Sequence, residues 1–229
     1  MTVGSAPTAT AARPPRPGTI RRVGLAAVVV LGPLSITILS ANPTYQSADD
    51  VTTIAAKVAQ HQTAQTVSLW LALIAAVTLV PGVIAIGLLA ARNAPRLGTW
   101  GMALAVTGFS FVLALTVTDF TALAGAQSGV GLDATTRLLE ELNAGPPLTL
   151  AVIAFVAGHV IGVILLGVAL LKGRAIPPWA AWALIISAPL HIVFAVVVTS
   201  DALDAAAWAL TTVGFAAAAA AITRSQRRA

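Results

Sequence analysis

Two histidines lie deep within apolar stretches of the chain, and they are the residues with the clearest capacity for chemistry. His159 lies in the run 148–171 and His191 in the run 178–199. At the rise of an α-helix, each imidazole lies roughly 12–16 Å from the same end of its helix. The two rings can therefore face each other across an antiparallel pair of helices. Ionisable groups at this depth in apolar helices are rare and are candidates for function.

Four interpretations of this pair are open. In the simplest, each histidine is neutral, hydrogen-bonds a neighbouring helix and serves packing. Alternatively, His159 and His191 could together ligate the iron of one haem b, as in membrane electron carriers. A divalent metal would need more ligands, which His61 and Asp119 would supply only if their helices converge. A proton relay through His191 and Asp119 is the fourth interpretation.

Small residues and a proline surround the two histidines. Ala154, Gly158 and Gly162 recur at intervals of four, a pattern that lets membrane helices approach closely. Pro189 precedes His191 by two positions and is expected to kink the helix, freeing a backbone carbonyl for the imidazole. We therefore expect a tightly packed helix on one side of the pair and a bent helix on the other.

The elements that must position these residues are membrane helices. The chain is 58% hydrophobic and 9% charged, with a mean hydropathy of +0.90, whereas a soluble domain is about 45–50% apolar and about 25% charged. This small number of charged residues cannot cover the surface of a soluble domain. The excess apolar residues must therefore face lipid. The chain has no cysteine, which excludes thiolate chemistry. It also lacks nucleotide-binding and hydrolase motifs, and this favours a protein that is not an enzyme.

Six apolar runs are each long enough to cross a bilayer, which takes about 20 residues. They cover residues 23–41, 67–91, 98–123, 148–171, 178–199 and 205–223. The predicted fold is an all-α, six-helix membrane bundle over residues 23–223. A Pro- and Arg-rich tail, 1–22, is predicted to be disordered and cytoplasmic, and residues 224–229 form a cytoplasmic C-terminal tail.

The basic residues indicate the orientation. With both termini inside, only Lys57 and Arg137 lie outside, and eleven basic residues lie inside: Arg13, Arg16, Arg21, Arg22, Arg92, Arg96, Lys172, Arg174, Arg224, Arg227 and Arg228. This bias predicts a plasma-membrane protein with cytoplasmic termini, and it disfavours a five-span alternative. The net charge of +5 is then a membrane signal and not a nucleic-acid footprint. The expected partners are the lipid bilayer and a second copy or another membrane protein.

Two outer loops carry helix signals. Residues 47–50 resemble a capping box with Ser47 as the cap, and the helix that follows is expected to run through His61 into the second span. Asp133 is the predicted N-cap of a second short helix. Both segments are predicted to be amphipathic helices on the outer membrane face, the alternative being ordinary loops.

An internal repeat links the second and fourth spans. Residues 82–87 match residues 162–167 at an offset of 80, and both end in glycine. A segment with a proline and a tryptophan follows each of the two matching runs, and these two segments lie at an offset of 82. This pattern predicts a duplicated helical hairpin, in which Gly82 and Gly87 pack helices as Gly158 and Gly162 do.

The five tryptophans lie near the ends of the apolar runs, where amphipathic indoles favour the membrane interface. The predicted inner belt consists of Trp100, Trp179 and Trp182, and the outer belt of Trp70 and Trp208. We expect this role to be structural.

The segments 158–162, 177–182 and 187–191 resemble a group of multi-pass membrane proteins from actinobacteria that have no known activity. The resemblance implies a small bacterial inner-membrane protein and implies no reaction. The leading prediction is a non-enzymatic membrane protein. The alternatives are a haem- or metal-binding redox subunit that uses His159 and His191, and a small proton-linked carrier.

Overall fold

The computed structural model describes residues 17–228, and every regular element within them is a helix. The helices are α1 (Pro17–Ala41), α2 (Val51–Gln60), α3 (Gln62–Asn93), α4 (Pro95–Ser110), α5 (Val112–Leu115), α6 (Val117–Ser128), α7 (Leu132–Ala144), α8 (Pro146–Lys172), α9 (Pro178–Ile192), which a π-helix continues (Val193–Val197), and α10 (Asp201–Arg228). Residues 17–22 of the predicted tail are therefore helical, and residues 1–16 lie outside the described part. The last helix extends beyond the predicted end at residue 223.

Six helical segments of the described chain are long and apolar enough to span a membrane. They are Ile20–Ala41, Gln62–Ala91, Pro95–Ser128, Pro146–Lys172, Pro178–Val197 and Asp201–Ser225. Large apolar side chains on these segments point outward: Val77, Leu88 and Ile153 are 65%, 56% and 59% exposed. Such surfaces are compatible with lipid and not with water. The predicted all-α, six-span membrane bundle is confirmed.

The six spans form a closed ring. The third span consists of α4, α5 and α6. Each span packs on its neighbours in sequence, and the ring closes where α1 packs along α10; α3 and α8 also touch across it. The largest fully buried side chains of the ring, including Phe109, Phe215 and Leu79, lie in one continuous apolar core.

The third span is broken in two places, although its sequence predicts one continuous helix. At Phe111 and at Thr116 the backbone has φ/ψ values of −88°/0° and −86°/−2°, outside the ideal helical well. Nearby hydroxyls bond back to the helix: Ser110 Oγ donates to the Val106 carbonyl at 2.7 Å, and Thr116 Oγ1 donates to the Leu113 carbonyl at 2.8 Å. Such bonds compete with the backbone ladder and bend helices.

The two predicted amphipathic helices, α2 and α7, exist, and they pack on each other and on α6. We call α2, α6 and α7 the cap. Its apolar core includes Val58 of α2, Leu123 of α6 and Leu139 of α7. The third span has 34 residues and so would be about 51 Å long if fully helical, against a hydrocarbon core of about 30 Å. The end of α6 therefore extends beyond the bilayer, where it supports the two short helices.

The N-cap residue of α2 is Asp50 and not, as was predicted, Ser47. The Asp50 carboxylate accepts the Thr53 N–H at 2.7 Å, and this backbone bond lowers the Asp50 pKa. Asp49 instead accepts Lys57 Nζ at 2.6 Å, which is the main reason that its pKa is also lowered. Because Asp50 directly precedes the first helical residue, its side chain reaches the free N–H groups of the first turn.

Two further cap predictions are wrong in detail. The helix does not run through His61, whose φ/ψ of −123°/42° separates α2 from α3. The residue that precedes α7 is Gly131, with φ of +96°, a conformation that favours glycine. Asp133 lies in the first turn of α7, where a carboxylate still complements the positive end of the helix.

Glycines set the closest helix contacts of the ring. A Cβ at Gly158 of α8 would lie 2.7 Å from the Gly108 Cα of α4, and a Cβ at Gly162 would lie 2.7 Å from the Ala105 Cα. Real side chains do not tolerate such distances, so these positions require glycine while the helices keep this separation. The result is a backbone-to-backbone seam between α4 and α8.

The repeat is visible in the same contacts. Gly82 and Gly162, which match at the offset of 80, each face the span that precedes their own: α1 and α4, respectively. Gly87 and Gly167 each face the span that follows, α4 and α9. Equivalent glycines therefore make equivalent contacts in the two hairpins.

Candidate functional site

The structure brings the two membrane histidines together. The ring centroids of His159, on α8, and His191, on α9, are 5.9 Å apart, and the residues are 4% and 6% exposed. The seam of α4 and α8 lies directly behind His159, since Gly108 packs against Gly158 and against the His159 backbone. The tight glycine contact therefore fixes the depth and direction of one member of the pair.

Each imidazole is held through its Nδ1 atom. His159 Nδ1–H donates to the Phe155 carbonyl at 2.8 Å. His191 Nδ1 lies 2.9 Å from Asp204 Oδ1, and the other carboxylate oxygen accepts Ser40 Oγ at 3.1 Å. The partner of His191 is thus a carboxylate on α10 and not the backbone carbonyl that the Pro189 kink was expected to free.

The turn between α9 and α10 explains the position of Asp204. After His191 the chain continues as a short π-helix, Val193–Val197, and reverses at Thr199, whose φ is +51°. The wider π-turn ends α9 and places the first turn of α10 beside the His191 ring. A β-branched residue with positive φ is strained, so the turn holds Asp204 in place at a cost in free energy.

The Nε2 atoms of both histidines are buried and have no hydrogen-bond partner among the described residues. A carbonyl only accepts hydrogen bonds, so the His159 proton must be on Nδ1, and its Nε2 carries a free lone pair. When neutral, His191 has the same tautomer, because Nδ1 donates to a carboxylate. Two unsatisfied imidazole nitrogens therefore lie in neighbouring rings.

An aromatic group encloses the two imidazoles. The centroid of the Trp208 ring lies 4.3 Å from that of His191 and 6.1 Å from that of His159. Phe155 stacks on His159 with a centroid distance of 4.4 Å. Phe109 lies 5.7 Å from His159. Trp208, which was predicted to belong to the outer belt, is 6% exposed and faces the interior of the ring.

The other four tryptophans have outward-facing indoles. Trp70, Trp100, Trp179 and Trp182 are 51–67% exposed. The difference arises because Trp208 is turned toward the ring interior, where it contacts the histidines.

The residues around the histidines do not fit a haem. A porphyrin coordinated by both rings would lie flat between them and extend well beyond them on all sides. Instead, Trp208 contacts both rings, and Phe109 and Phe155 contact the His159 ring. Trp208 therefore lies beside the space between the two rings, which the macrocycle would need.

The structure does not bring His61 or Asp119 to the histidine pair. His61 is exposed at the junction of α2 and α3, and Asp119 is bonded to residues of other elements. Within residues 17–228, no group of three or more His, Asp or Glu side chains is arranged to hold a metal ion. The predicted divalent-metal site therefore has no set of ligands in this part of the chain.

Asp119 lies instead in the wall of a cavity of about 310 Å³. Its Oδ1 atom accepts two hydrogen bonds, from Tyr45 Oη and from Gln65 Nε2, both at 2.7 Å. Burial, and the Asp119 carboxylate beside it, raise the pKa of Tyr45, so the phenol keeps its proton and donates. Asp119 Oδ2 receives no hydrogen bond from the described residues.

The cavity lies inside the ring, near the cap. Its walls come from α1, the following loop, α3, the broken third span, α8 and α10, and they are mainly apolar. Among the described residues that line it, Asp119 and Asp201 are acidic and none is basic. Phe155 and Trp208 line the cavity and also contact the histidines, so a single layer of aromatic rings separates the two features.

Sequence reasoning missed Tyr45, Gln65, Asp204 and Trp208 as parts of these sites. Tyr45 carries the one signal that could have been used, since it is the only tyrosine of the chain and lies in a loop rich in small polar residues. The others depend on which face of a helix is turned inward, which apolar helices do not reveal.

Comparison of the chain with protein-family models, with curated proteins and with solved structures gave no match.

Proposed function

We propose that the protein is a non-enzymatic bacterial plasma-membrane protein that binds a small organic cation with an apolar body in the cavity beside the cap. The observation that carries the proposal is the Asp119 carboxylate, which offers a free oxygen in an otherwise mainly apolar enclosure. The ligand would enter from the outer side of the membrane.

The charge of the cavity favours a cation. Asp119 and Asp201 line it, and no basic side chain within residues 17–228 does. Tyr45 and Gln65 hold Asp119 through one oxygen, which leaves Oδ2 available for a cationic head group. Trp208 also lines the cavity, and aromatic rings attract cations.

The size of the cavity favours a small ligand. Small-molecule pockets measure about 300–1,000 Å³, and this cavity, at about 310 Å³, is at the lower limit. A quaternary amine with one aromatic ring has a suitable size and chemistry.

The broken third span favours transport across the membrane as a second candidate function. Val112, the first residue of α5, and Thr116, which directly follows α5, both line the cavity. Interrupted helices occur at the binding sites of membrane carriers, where the break frees backbone groups and permits movement. The buried His191–Asp204 pair behind the cavity would then serve as the proton-binding element of a proton-linked carrier.

The orientation of the protein follows from its basic residues. Arg92, Arg96, Lys172 and Arg174 lie in the turns opposite the cap, and the positive-inside rule places these turns in the cytoplasm. The cap and the cavity then face outward. A reporter that is active only outside the cell should be silent when fused after Ala229 and active when inserted after Gly129, and the reverse would refute this orientation.

Binding can be tested with benzyltrimethylammonium and its neutral isostere neopentylbenzene, by calorimetry on the detergent-purified protein. We expect the cation to bind at least about tenfold more tightly, since a desolvated cation beside an aromatic ring gains about 2 kcal/mol before any attraction to the carboxylate is counted. Asp119→Asn should reduce this preference, and Asp133→Asn, an exposed cap residue, should leave it unchanged. Equal binding of the two probes, no binding of either, or an unchanged preference in Asp119→Asn would refute the proposal.

A further inference from the structure

The histidine pair has a feature that the proposed function does not use. Both Nε2 atoms are buried without a partner, and both Nδ1 atoms are held by acceptors, the Phe155 carbonyl and the Asp204 carboxylate. Histidines that bind metals almost always donate the other ring N–H to a carbonyl or a carboxylate, which fixes the tautomer and raises the basicity of the ligand. Each histidine of this pair therefore has the arrangement of a metal ligand.

The separation of the rings fits one ion. A bond from a metal to an imidazole nitrogen is about 2.0 Å long, so two rings that share one ion through Nε2 have centroids roughly 6 Å apart. The observed separation is 5.9 Å. Without an ion or a proton donor between them, two lone pairs remain unsatisfied in an apolar interior, which is unfavourable.

The charges of the site favour a monovalent ion. The Asp204 side chain is 15% exposed. It contacts Ser40 and His191, and among the described residues no lysine or arginine pairs with it. One positive charge on the histidine pair would neutralise this carboxylate, whereas a divalent ion would leave a net positive charge in the membrane interior.

The surroundings select a soft ion that accepts few ligands. No third His, Asp or Glu of the described chain completes a metal site. Trp208 covers one side of the space between the two rings, and Phe109 and Phe155 pack against His159. Zinc sites have four ligands, and magnesium and calcium require oxygen. Monovalent copper has a filled d shell, binds imidazole, and is stable with two nitrogen ligands in an apolar, water-poor site.

We propose that His159 and His191 form a buried site for one Cu(I) ion, bound through the two Nε2 atoms. Asp204 is a positioning residue, which orients His191 and balances the charge of the ion. Trp208 covers the site on the side of the cavity. This assignment does not depend on the cation-binding function proposed above.

The test measures Cu(I) affinity of the whole chain, purified in detergent with an affinity tag that contains no histidine. Protein is titrated anaerobically with ascorbate-reduced copper in competition with bicinchoninate. We expect one copper ion per chain to remain after desalting. His159→Phe and His191→Phe should each lower the affinity at least about tenfold, and Asp204→Asn about 10–100-fold, the range for partners of metal ligands. His61→Phe is the matched control and should bind as the unmodified chain does.

X-ray absorption of the copper-loaded, unmodified chain gives a second measurement that does not require the variants to fold. We expect two nitrogen ligands and no coordinated water. Complete loss of copper to the competitor, equal copper retention by the His159→Phe/His191→Phe double variant, or a coordination shell of oxygen would each overturn the assignment. The first result would mean that a water or a proton bridges the two rings.

Discussion

Gly158→Ala is the sharpest test of the seam between α4 and α8. The added Cβ would lie 2.7 Å from the Gly108 Cα and 2.8 Å from the Leu104 carbonyl oxygen. Ordinary contacts begin at 3.4 Å, so the nearest contact is too short by about 0.7 Å. Both neighbours are backbone atoms, and relief therefore requires the two helices to separate.

The size of the effect follows from two opposing contributions. Overpacking a well-packed contact costs about 1–3 kcal/mol, whereas alanine is favoured over glycine within a helix by about 0.5–1 kcal/mol. The net loss in the free energy of unfolding should lie between about 0 and 2.5 kcal/mol, with its centre at about 1 kcal/mol. For a chain of this size, a loss of about 1 kcal/mol corresponds to a melting temperature lower by about 2–4 °C.

The assay is thermal unfolding in detergent, with Gly24→Ala as the matched control. Gly24 lies in α1, and nothing is found within 4 Å of an added Cβ, so only the favourable contribution of helix propensity remains. We expect the control to melt at or slightly above the temperature of the unmodified chain. If Gly158→Ala melts as high as the control, the contact between the two backbones does not limit stability and the reasoning fails.

Three further predictions concern the turn, the cap and the histidines. Thr199→Asn should raise the free energy of unfolding by about 1 kcal/mol, because asparagine tolerates the positive φ that strains threonine; a lower melting temperature would contradict this. The pKa of Asp50 is lowered in the folded protein, so its cap bond should persist above about pH 4 and weaken as the pH falls through the lowered value. The protection of the Thr53 amide, measured against its intrinsic exchange rate at each pH, should then fall at low pH, and Asp50→Asn, which caps without a titrating group, should remove this pH dependence of the protection. Protein from haem-replete cells should show no Soret band before or after dithionite, and a band that depends on His159 would refute our account of the space around it.

The sequence was sufficient to predict the spans and the similar depths of the two histidines for simple physical reasons. Long apolar runs have one stable form in lipid, and the rise of a helix places His159 and His191 at similar depths. Their contact requires in addition that both rings are turned toward each other in the hairpin of α8 and α9, which the sequence leaves open.

Other parts of the site could not be read from the chain. Asp204 lies at the start of an apolar run, where a carboxylate is usually a surface residue, and only the π-turn after His191 directs it inward. Trp208 lies at a depth typical of interfacial tryptophans, so its rotation toward the core left no signal. The breaks at Phe111 and Thr116 involve no proline, and they occur beside hydroxyls that bond back to the helix.

The contact between α1 and α10 has a consequence for biosynthesis. Residues of these two helices, Ser40 and Asp204, complete the histidine site, and both helices also supply walls of the cavity. During synthesis the first helix enters the membrane long before the last. The face of α1 that packs against α10 therefore stays uncovered while the intervening spans insert. Neither site can exist until α10 arrives, and binding at either one would therefore report that insertion has finished.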